Sequence, residues 1–100
     1  MSKVPARPYD SADYIDTPEA AAVYLGAALE DGDPQIIAST LGDIARSKGM
    51  AMIADRTGLA REALYKSLSA GGNPRLTTLV SVLKAMGLRL SITVDEHAAA

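Results

Sequence analysis

The 100-residue chain contains no cysteine, no tryptophan and no phenylalanine, and His97 is its only histidine. The absence of cysteine excludes disulfides, thiolate nucleophiles and metals held by cysteine. One histidine cannot form a two-histidine zinc site, and a position beside three terminal alanines does not suit the base of a Ser-His-Asp triad. We therefore expect a protein that is not an enzyme and that holds no metal and no cofactor.

Long hydrophobic runs are also absent from the chain. No run approaches the ~20 apolar residues that cross a bilayer, and no hydrophobic stretch of the kind found in secretory signals follows Lys3 and Arg7. The composition, 48% hydrophobic and 22% charged, is typical of a soluble globular domain. We therefore expect residues 1–100 to form a single cytoplasmic domain without a membrane partner.

The charged residues are unevenly distributed along the chain. Residues 1–45 contain eight acids and two bases, whereas residues 46–94 contain eight bases and two acids. Asp95 and Glu96 complete the net charge of −2. The asymmetry either reflects solvated faces alone or indicates surfaces that meet charged partners.

The apolar residues favour packed helices over a β-sandwich, because 18 alanines and 11 leucines stand against only four tyrosines. Thr17-Pro18 and Asp33-Pro34 each place a capping side chain before a proline at the first helical position. These two start signals predict an acidic helical hairpin over residues 17–49. The preceding residues 1–16 are expected to form an N-terminal arm.

Shorter elements follow in residues 50–87. Glycine and proline divide this region into helices over about 50–57 and 61–69 and a third helix that Thr77 or Thr78 would cap. Apolar positions occupy most of the surface of the third helix. We therefore expect that helix to be largely buried.

The period of the apolar residues changes to two after Gly87. Apolar and polar side chains alternate over residues 88–94, with apolar positions at Leu88, Leu90, Ile92 and Val94. This alternation predicts a short C-terminal β-strand. A lone strand needs a partner strand, either from a second copy, which would give a homodimer, or from a different protein.

Five residues in the basic half have the spacing of a helix-turn-helix. Ala54 is the small residue at which two helices would touch, Gly58 would make the turn, and Leu64 would anchor the second helix. Ile53 and Leu59 would add flanking core contacts. A tight helical hairpin with a glycine turn is the alternative interpretation of the same positions.

Longer segments extend this pattern along nearly the whole chain: Asp16-Thr17-Pro18-Glu19, Ala28-Leu29-Glu30-Asp31-Gly32-Asp33-Pro34, Leu41-Gly42-Asp43-Ile44-Ala45-Arg46, Arg61-Glu62-Ala63-Leu64-Tyr65-Lys66, Gly72-Asn73-Pro74 and Leu83-Lys84-Ala85-Met86-Gly87-Leu88-Arg89-Leu90. In these segments the sequence resembles the addiction-module antidote proteins, which are antitoxins with an Xre-type helix-turn-helix. The resemblance implies an antitoxin that neutralises a small RelE/ParE-like toxin and, bound to operator DNA, represses transcription of the pair. We accordingly predict an all-α, Xre/lambda-repressor-like domain of about five helices, followed by the short C-terminal strand.

The second helix of a helix-turn-helix places its N-terminal residues in the major groove of double-stranded DNA. Four residues are therefore candidates for contacts with base edges: Arg61, Glu62, Tyr65 and Lys66. The inward-facing positions of the same helix would be Ala63, Leu64 and Leu68. Two alternatives stay open, because an acid in a first turn stabilises the helix without touching DNA and because a tyrosine there can simply cover the domain edge.

Four basic residues lie at helix ends and turns beside the motif, where DNA phosphates would pass: Arg46, Lys48, Arg56 and Arg75. Two residues depart from the general helix-turn-helix pattern. Ala60 stands where a serine or threonine would cap the recognition helix, and Ser67 occupies an anchor position that is usually apolar.

The sequence therefore predicts a DNA-binding antitoxin and repressor that forms a homodimer and has no catalytic function. We expect the acidic half to face the toxin and the operator to be an inverted repeat. A stand-alone Xre-family transcriptional regulator without a toxin is the main alternative, and a purely protein-binding module is another. An enzyme built on the acids of residues 10–33 lacks a general base that can be named.

Overall fold

The computed structural model of the protein describes residues 17–96. This part of the chain forms five helices, α1 (Pro18–Asp31), α2 (Pro34–Lys48), α3 (Met50–Thr57), α4 (Arg61–Ser67) and α5 (Leu76–Ala85). Helix α1 packs on α2, α2 packs on α3, and α3 contacts both α4 and α5. The prediction of about five helices is confirmed. The predicted N-terminal arm and His97 lie outside the described residues.

The start signals of the first two helices act as the sequence predicts. The N–H of Ala20 donates to Oγ1 of Thr17 over 3.1 Å, and the N–H of Gln35 donates to Oδ1 of Asp33 over 2.9 Å. Gly32 ends α1 in the left-handed conformation, with φ of 86°. Each of the two helices thus begins with a side-chain cap that satisfies one of its free backbone N–H groups.

The last three helices begin without any side-chain cap. Their N-cap residues are Gly49, Ala60 and Arg75. The prediction that Thr77 or Thr78 caps the last helix is wrong, because both residues are already helical inside α5 and Arg75 has the extended backbone that an N-cap requires. Burial, rather than capping, must supply most of the stability of these short helices.

The core gathers apolar side chains from every helix. Its largest fully buried side chains come from α2, α3, α4, α5 and the residue after α4: Leu41, Ile44, Ile53, Leu64, Leu68, Val82 and Leu83. The prediction that the last helix is largely buried is only partly right. Val82 and Leu83 are buried, but Leu76 is 70% exposed, because the N-terminal turn of α5 projects beyond the core.

The prediction of a C-terminal β-strand is wrong. Residues 88–95 have no regular secondary structure. Leu88 is half-buried, whereas the exposed fractions of Leu90, Ile92 and Val94 are 41%, 97% and 87%. A strand exists only where a neighbouring segment accepts and donates its backbone hydrogen bonds, and no segment within residues 17–96 does so here.

Candidate nucleic-acid interface

A short turn fixes the angle between α3 and α4. Gly58 ends α3 with φ of 75°, and its N–H donates to the carbonyl oxygen of Ala54 over 2.9 Å. The hydroxyl of Thr57 donates to the carbonyl oxygen of Ile53 over 2.8 Å and accepts from the N–H of Leu59 over 3.2 Å. Because these bonds close the turn from both sides, α4 leaves α3 in a defined direction.

The five residues with helix-turn-helix spacing take the places that their types favour. Ile53 and Leu64 are fully buried, and Ala54 and Leu59 are half-buried against the same core. Gly58 occupies a left-handed conformation that costs most other residues free energy. Helix α4 is thereby anchored on one side by Leu64 and begins immediately after a rigid turn.

The C-terminal end of α4 is held by close backbone contacts with two glycines. A methyl group at Gly42, in the middle of α2, would overlap the backbone carbonyl oxygen of Leu68. A methyl group at Gly72 would overlap the backbone carbonyl of Ser67 in the same way. The Gly42 contact sets the position of α4 relative to the hairpin. Side-chain chemistry in the sequence gives no signal for either contact.

The inward positions of α4 differ slightly from the prediction. Leu64 and Leu68 are buried as expected, but Ala63 is exposed. The helix ends at Ser67 rather than at 69, and Leu68 turns inward as its C-cap residue. Ser67 is only half-buried because the buried anchor is provided by the next residue.

The four candidates for contacts with bases lie together on the outer surface of α4. Arg61, Glu62, Tyr65 and Lys66 are all exposed. Three of them line one shallow depression with Ala60. None of the charged members forms an ion pair with another residue of the described chain, so their side chains are available to an external partner.

The four candidates for phosphate contacts have unequal surroundings. Arg46 forms an ion pair with Asp43 on α2. Arg56 donates from Nη1 to the carbonyl oxygen of Ala85 over 3.0 Å, which places a positive charge at the negative end of the α5 dipole. The remaining two differ in exposure, since Lys48 is half-buried and Arg75 is exposed.

The structural role of Arg56 was missed from the sequence, because its acceptor lies 29 residues away along the chain. Asn73 was missed as well. It is exposed and lines a groove with Ala63, Ser67 and Arg75 beside α4. An amide two residues before Arg75 was a usable signal, but the surrounding glycines and proline predicted only a break between helices.

Membrane and metal sites can be assessed over the same residues. No helix within residues 17–96 is long and apolar enough to cross a membrane. Over that range no three acidic or histidine side chains come together in a way that could hold a metal ion.

Comparison with known proteins places this fold in a family. Residues 5–94 match the family described as "probable addiction module antidote protein". The chain belongs to this family. A protein of Haemophilus influenzae with the name "Uncharacterized protein" is 38% identical to this antidote family member over 90 residues, which cover 90% of this chain and 93% of the relative. No solved structure gives a significant match.

Membership of the antidote family confirms the broader part of the resemblance. An antidote in an addiction module acts with a toxin, so the family implies a toxin partner in general. The Xre type of the helix-turn-helix, the RelE/ParE class of the toxin, the contacts with DNA and the homodimer stay predictions.

Proposed function

We propose that the protein is the antitoxin of a type II toxin-antitoxin module and that it represses its own operon through an Xre-type helix-turn-helix formed by α3 and α4. The observation that carries the proposal is the exposed outer face of α4, on which Arg61, Tyr65 and Lys66 project from a helix fixed by a tight turn. Such a helix fits the major groove of B-DNA. Catalysis has no part in this function.

Charge supports the assignment of DNA to this side of the molecule. Residues 46–85 carry seven bases and two acids, whereas residues 17–45 carry five acids and no base. A basic surface releases counterions when it meets phosphates, and this term dominates the affinity for DNA. DNA therefore meets α3, α4, the start of α5 and the basic end of α2, and not α1 or the acidic start of α2.

The candidate residues have separate tasks in this proposal. Arg61 and Lys66 donate hydrogen bonds to guanine O6 and N7, while Glu62 accepts from cytosine N4. Arg75 contacts a phosphate, because it is exposed at the N-cap of α5 beside the groove that borders α4. Arg46 reaches a phosphate after exchanging its exposed ion pair with Asp43, which is inexpensive in water.

Repression further requires two copies on one operator. A single α4 of seven residues reads only a few base pairs. Two copies related by a two-fold axis would place their α4 helices about one DNA turn apart, ~34 Å, on an inverted repeat. The homodimer is therefore part of the proposal.

The antitoxin function rests on the family and on charge. RelE/ParE-like toxins generally have basic surfaces, and the described hairpin offers acids at Glu19, Glu30, Asp31, Asp33 and Asp43. Electrostatic complementarity of this kind raises the association rate and the selectivity for the toxin. The toxin is thus expected on the side of the hairpin, away from the DNA.

Two measurements test the proposal. Fluorescence anisotropy should show tighter binding to the DNA segment immediately upstream of the gene than to a scrambled duplex. Across a salt series, the logarithm of the affinity should fall linearly with the logarithm of the salt concentration. Co-expression with the short reading frame beside the gene should restore growth that this frame alone arrests. Equal affinity for both duplexes would contradict sequence-specific repression, and a neighbouring frame without toxicity would favour a stand-alone regulator.

A further inference from the structure

An apolar cleft separates α1 from the C-terminal segment. Its walls include Leu25 and Leu29 of α1, Leu83 of α5, and Leu90 and Ile92 of the segment after α5. Its volume is about 530 Å³. We call this feature the α1-tail cleft, and it lies outside the surface assigned above to DNA.

The α1-tail cleft is incompletely covered along its tail side. Ile92 is 97% exposed and Leu90 41% exposed, although both border an apolar depression. The backbone groups of residues 89–94 form no hydrogen bond with any other described residue. Exposed aliphatic side chains beside free backbone donors and acceptors are typical of a surface that binds an extended segment of another protein.

The charge at one end of the cleft indicates what kind of segment fits. Glu30 and Asp31, at the end of α1, face Asp95 and Glu96 across an adjoining depression whose lining residues include no lysine and no arginine, whereas Arg89 lines the cleft itself. The negative end of the α1 dipole adds to this field. The end of the α1-tail cleft therefore favours a positively charged occupant.

A second copy of this chain is a poorer occupant than a basic partner. The tail of a second copy, residues 88–96, carries one base and two acids, a net charge of −1 (1 − 2). Adding that segment would increase the negative charge at the cleft, and like charges across an interface oppose association.

We infer that the α1-tail cleft binds a basic, apolar and extended segment of the toxin, with the free backbone groups of residues 89–94 completing its hydrogen bonds. The identity of the partner rests on the proposed antitoxin function. The chemistry of the segment rests on the cleft alone, so a synthetic peptide can test it without the toxin.

The probe is a peptide of about nine residues that alternates lysine and valine, added to the full ¹⁵N-labelled protein. Backbone amide signals of residues 22–31 and 88–96 should shift together as one site fills. A peptide with glutamate in place of lysine should bind at least tenfold more weakly, and 0.5 M salt should reduce that difference, because this salt concentration screens exposed charges.

Two sets of variants separate the apolar and the charged parts of the site. The double variant Leu90→Ser with Ile92→Ser should weaken peptide binding about tenfold, since it removes aliphatic surface that the peptide would cover. The control Leu76→Ser removes a leucine of α5 that is 70% exposed and lies away from the cleft, and it should leave binding unchanged. Glu30→Gln with Asp31→Asn should weaken binding several-fold without harming the fold, because acids oppose the dipole at a helix C-terminus.

The outcomes distinguish this inference from the proposed function. If the serine double variant neutralises the neighbouring toxin as well as the original protein does, the inference is wrong while the antitoxin function stands. If the peptide binds as expected but the neighbouring frame encodes no toxin, the cleft chemistry stands and the proposed function fails. Conversion of a homodimer to a monomer by the serine variant would show that a second copy occupies the cleft, and the inference would be overturned.

Discussion

The hairpin of α1 and α2 and the group of short helices α3, α4 and α5 are stabilised in different ways. The hairpin helices have 14 and 15 residues and begin with side-chain caps from Thr17 and Asp33. The three later helices have eight, seven and ten residues and begin with no side-chain cap. Because helices this short are marginal on their own, the second region depends on burial against the first.

The same two regions differ in charge, and the proposed function uses this difference. The hairpin carries five acids and two bases, Arg46 and Lys48 at the end of α2, while residues 50–85 carry five bases and two acids. A repressor that also binds a toxin must present two surfaces that do not compete for one partner. In the proposed function, the different charges of the two regions would direct a basic toxin to one and DNA to the other.

The largest loss of stability should come from Leu68→Ala, which tests whether the short helices depend on burial against the hairpin. Leu68 is fully buried after α4, where it joins the short helices to the hairpin. The change should lower the free energy of unfolding by about 2–5 kcal/mol, measured by urea denaturation. The control Leu76→Ala, at a leucine that is 70% exposed, should stay within about 0.5 kcal/mol of the original protein. Equal losses for both leucines would contradict this comparison.

A glycine in each hairpin helix allows the contact between the regions to be tested directly. Gly42→Ala should destabilise the protein by about 1–3 kcal/mol, because the added methyl group meets the Leu68 carbonyl, a backbone atom that cannot move alone. Gly26→Ala, with open space around the new methyl group, should instead stabilise α1 by about 0.5–1 kcal/mol. Thermal or urea unfolding would measure both, and a stabilising Gly42→Ala would refute the close approach.

Substitutions in the basic region should distinguish residues that read DNA bases from residues that contact phosphates. Arg61→Ala or Lys66→Ala should weaken operator binding by about 1–3 kcal/mol and relax the preference at one base pair. Arg75→Ala should weaken operator and scrambled DNA about equally and lower the salt slope by about one per contact. Anisotropy across a salt series measures these effects, with thermal unfolding as the control for folding. If Arg61→Ala and Lys66→Ala lower both affinities equally, α4 does not read sequence.

The smallest effects concern the caps that distinguish the two regions. Asp33→Ala should cost about 1 kcal/mol of unfolding free energy, because the N–H of Gln35 loses its acceptor. Ala60→Ser should stabilise α4 by about 0.5 kcal/mol, since Ala60 has the extended backbone of an N-cap, with φ of −70° and ψ of 139°. Chemical denaturation would measure both changes. A destabilising Ala60→Ser would show that the exposed start of α4 is constrained by something other than its missing cap.

Much of the fold could be predicted from local chemistry. Thr17, Asp33 and the prolines after them indicate the helix starts, and Gly32 and Gly58 indicate the ends, because capping and left-handed conformations depend on only a few neighbouring atoms. The exposed face of α4 was predictable for the same reason, since residues three and four apart share one side of a helix. Whether that face reads DNA stays a prediction.

Other features depend on atoms far apart in sequence. The contact of Gly42 with Leu68 forms only when α2 meets the end of α4, and the hydrogen bond from Arg56 to Ala85 forms only when α3 meets α5. The alternating residues 88–94 satisfy the local pattern of a strand, yet they remain irregular because a strand requires hydrogen bonds from a neighbour that the described chain does not supply. The sequence by itself determined the helices and their charges, because these depend on short-range sterics and residue type. Only the tertiary structure decided the anchoring of α4 and the cleft beside α1, because both depend on which distant backbones come into contact.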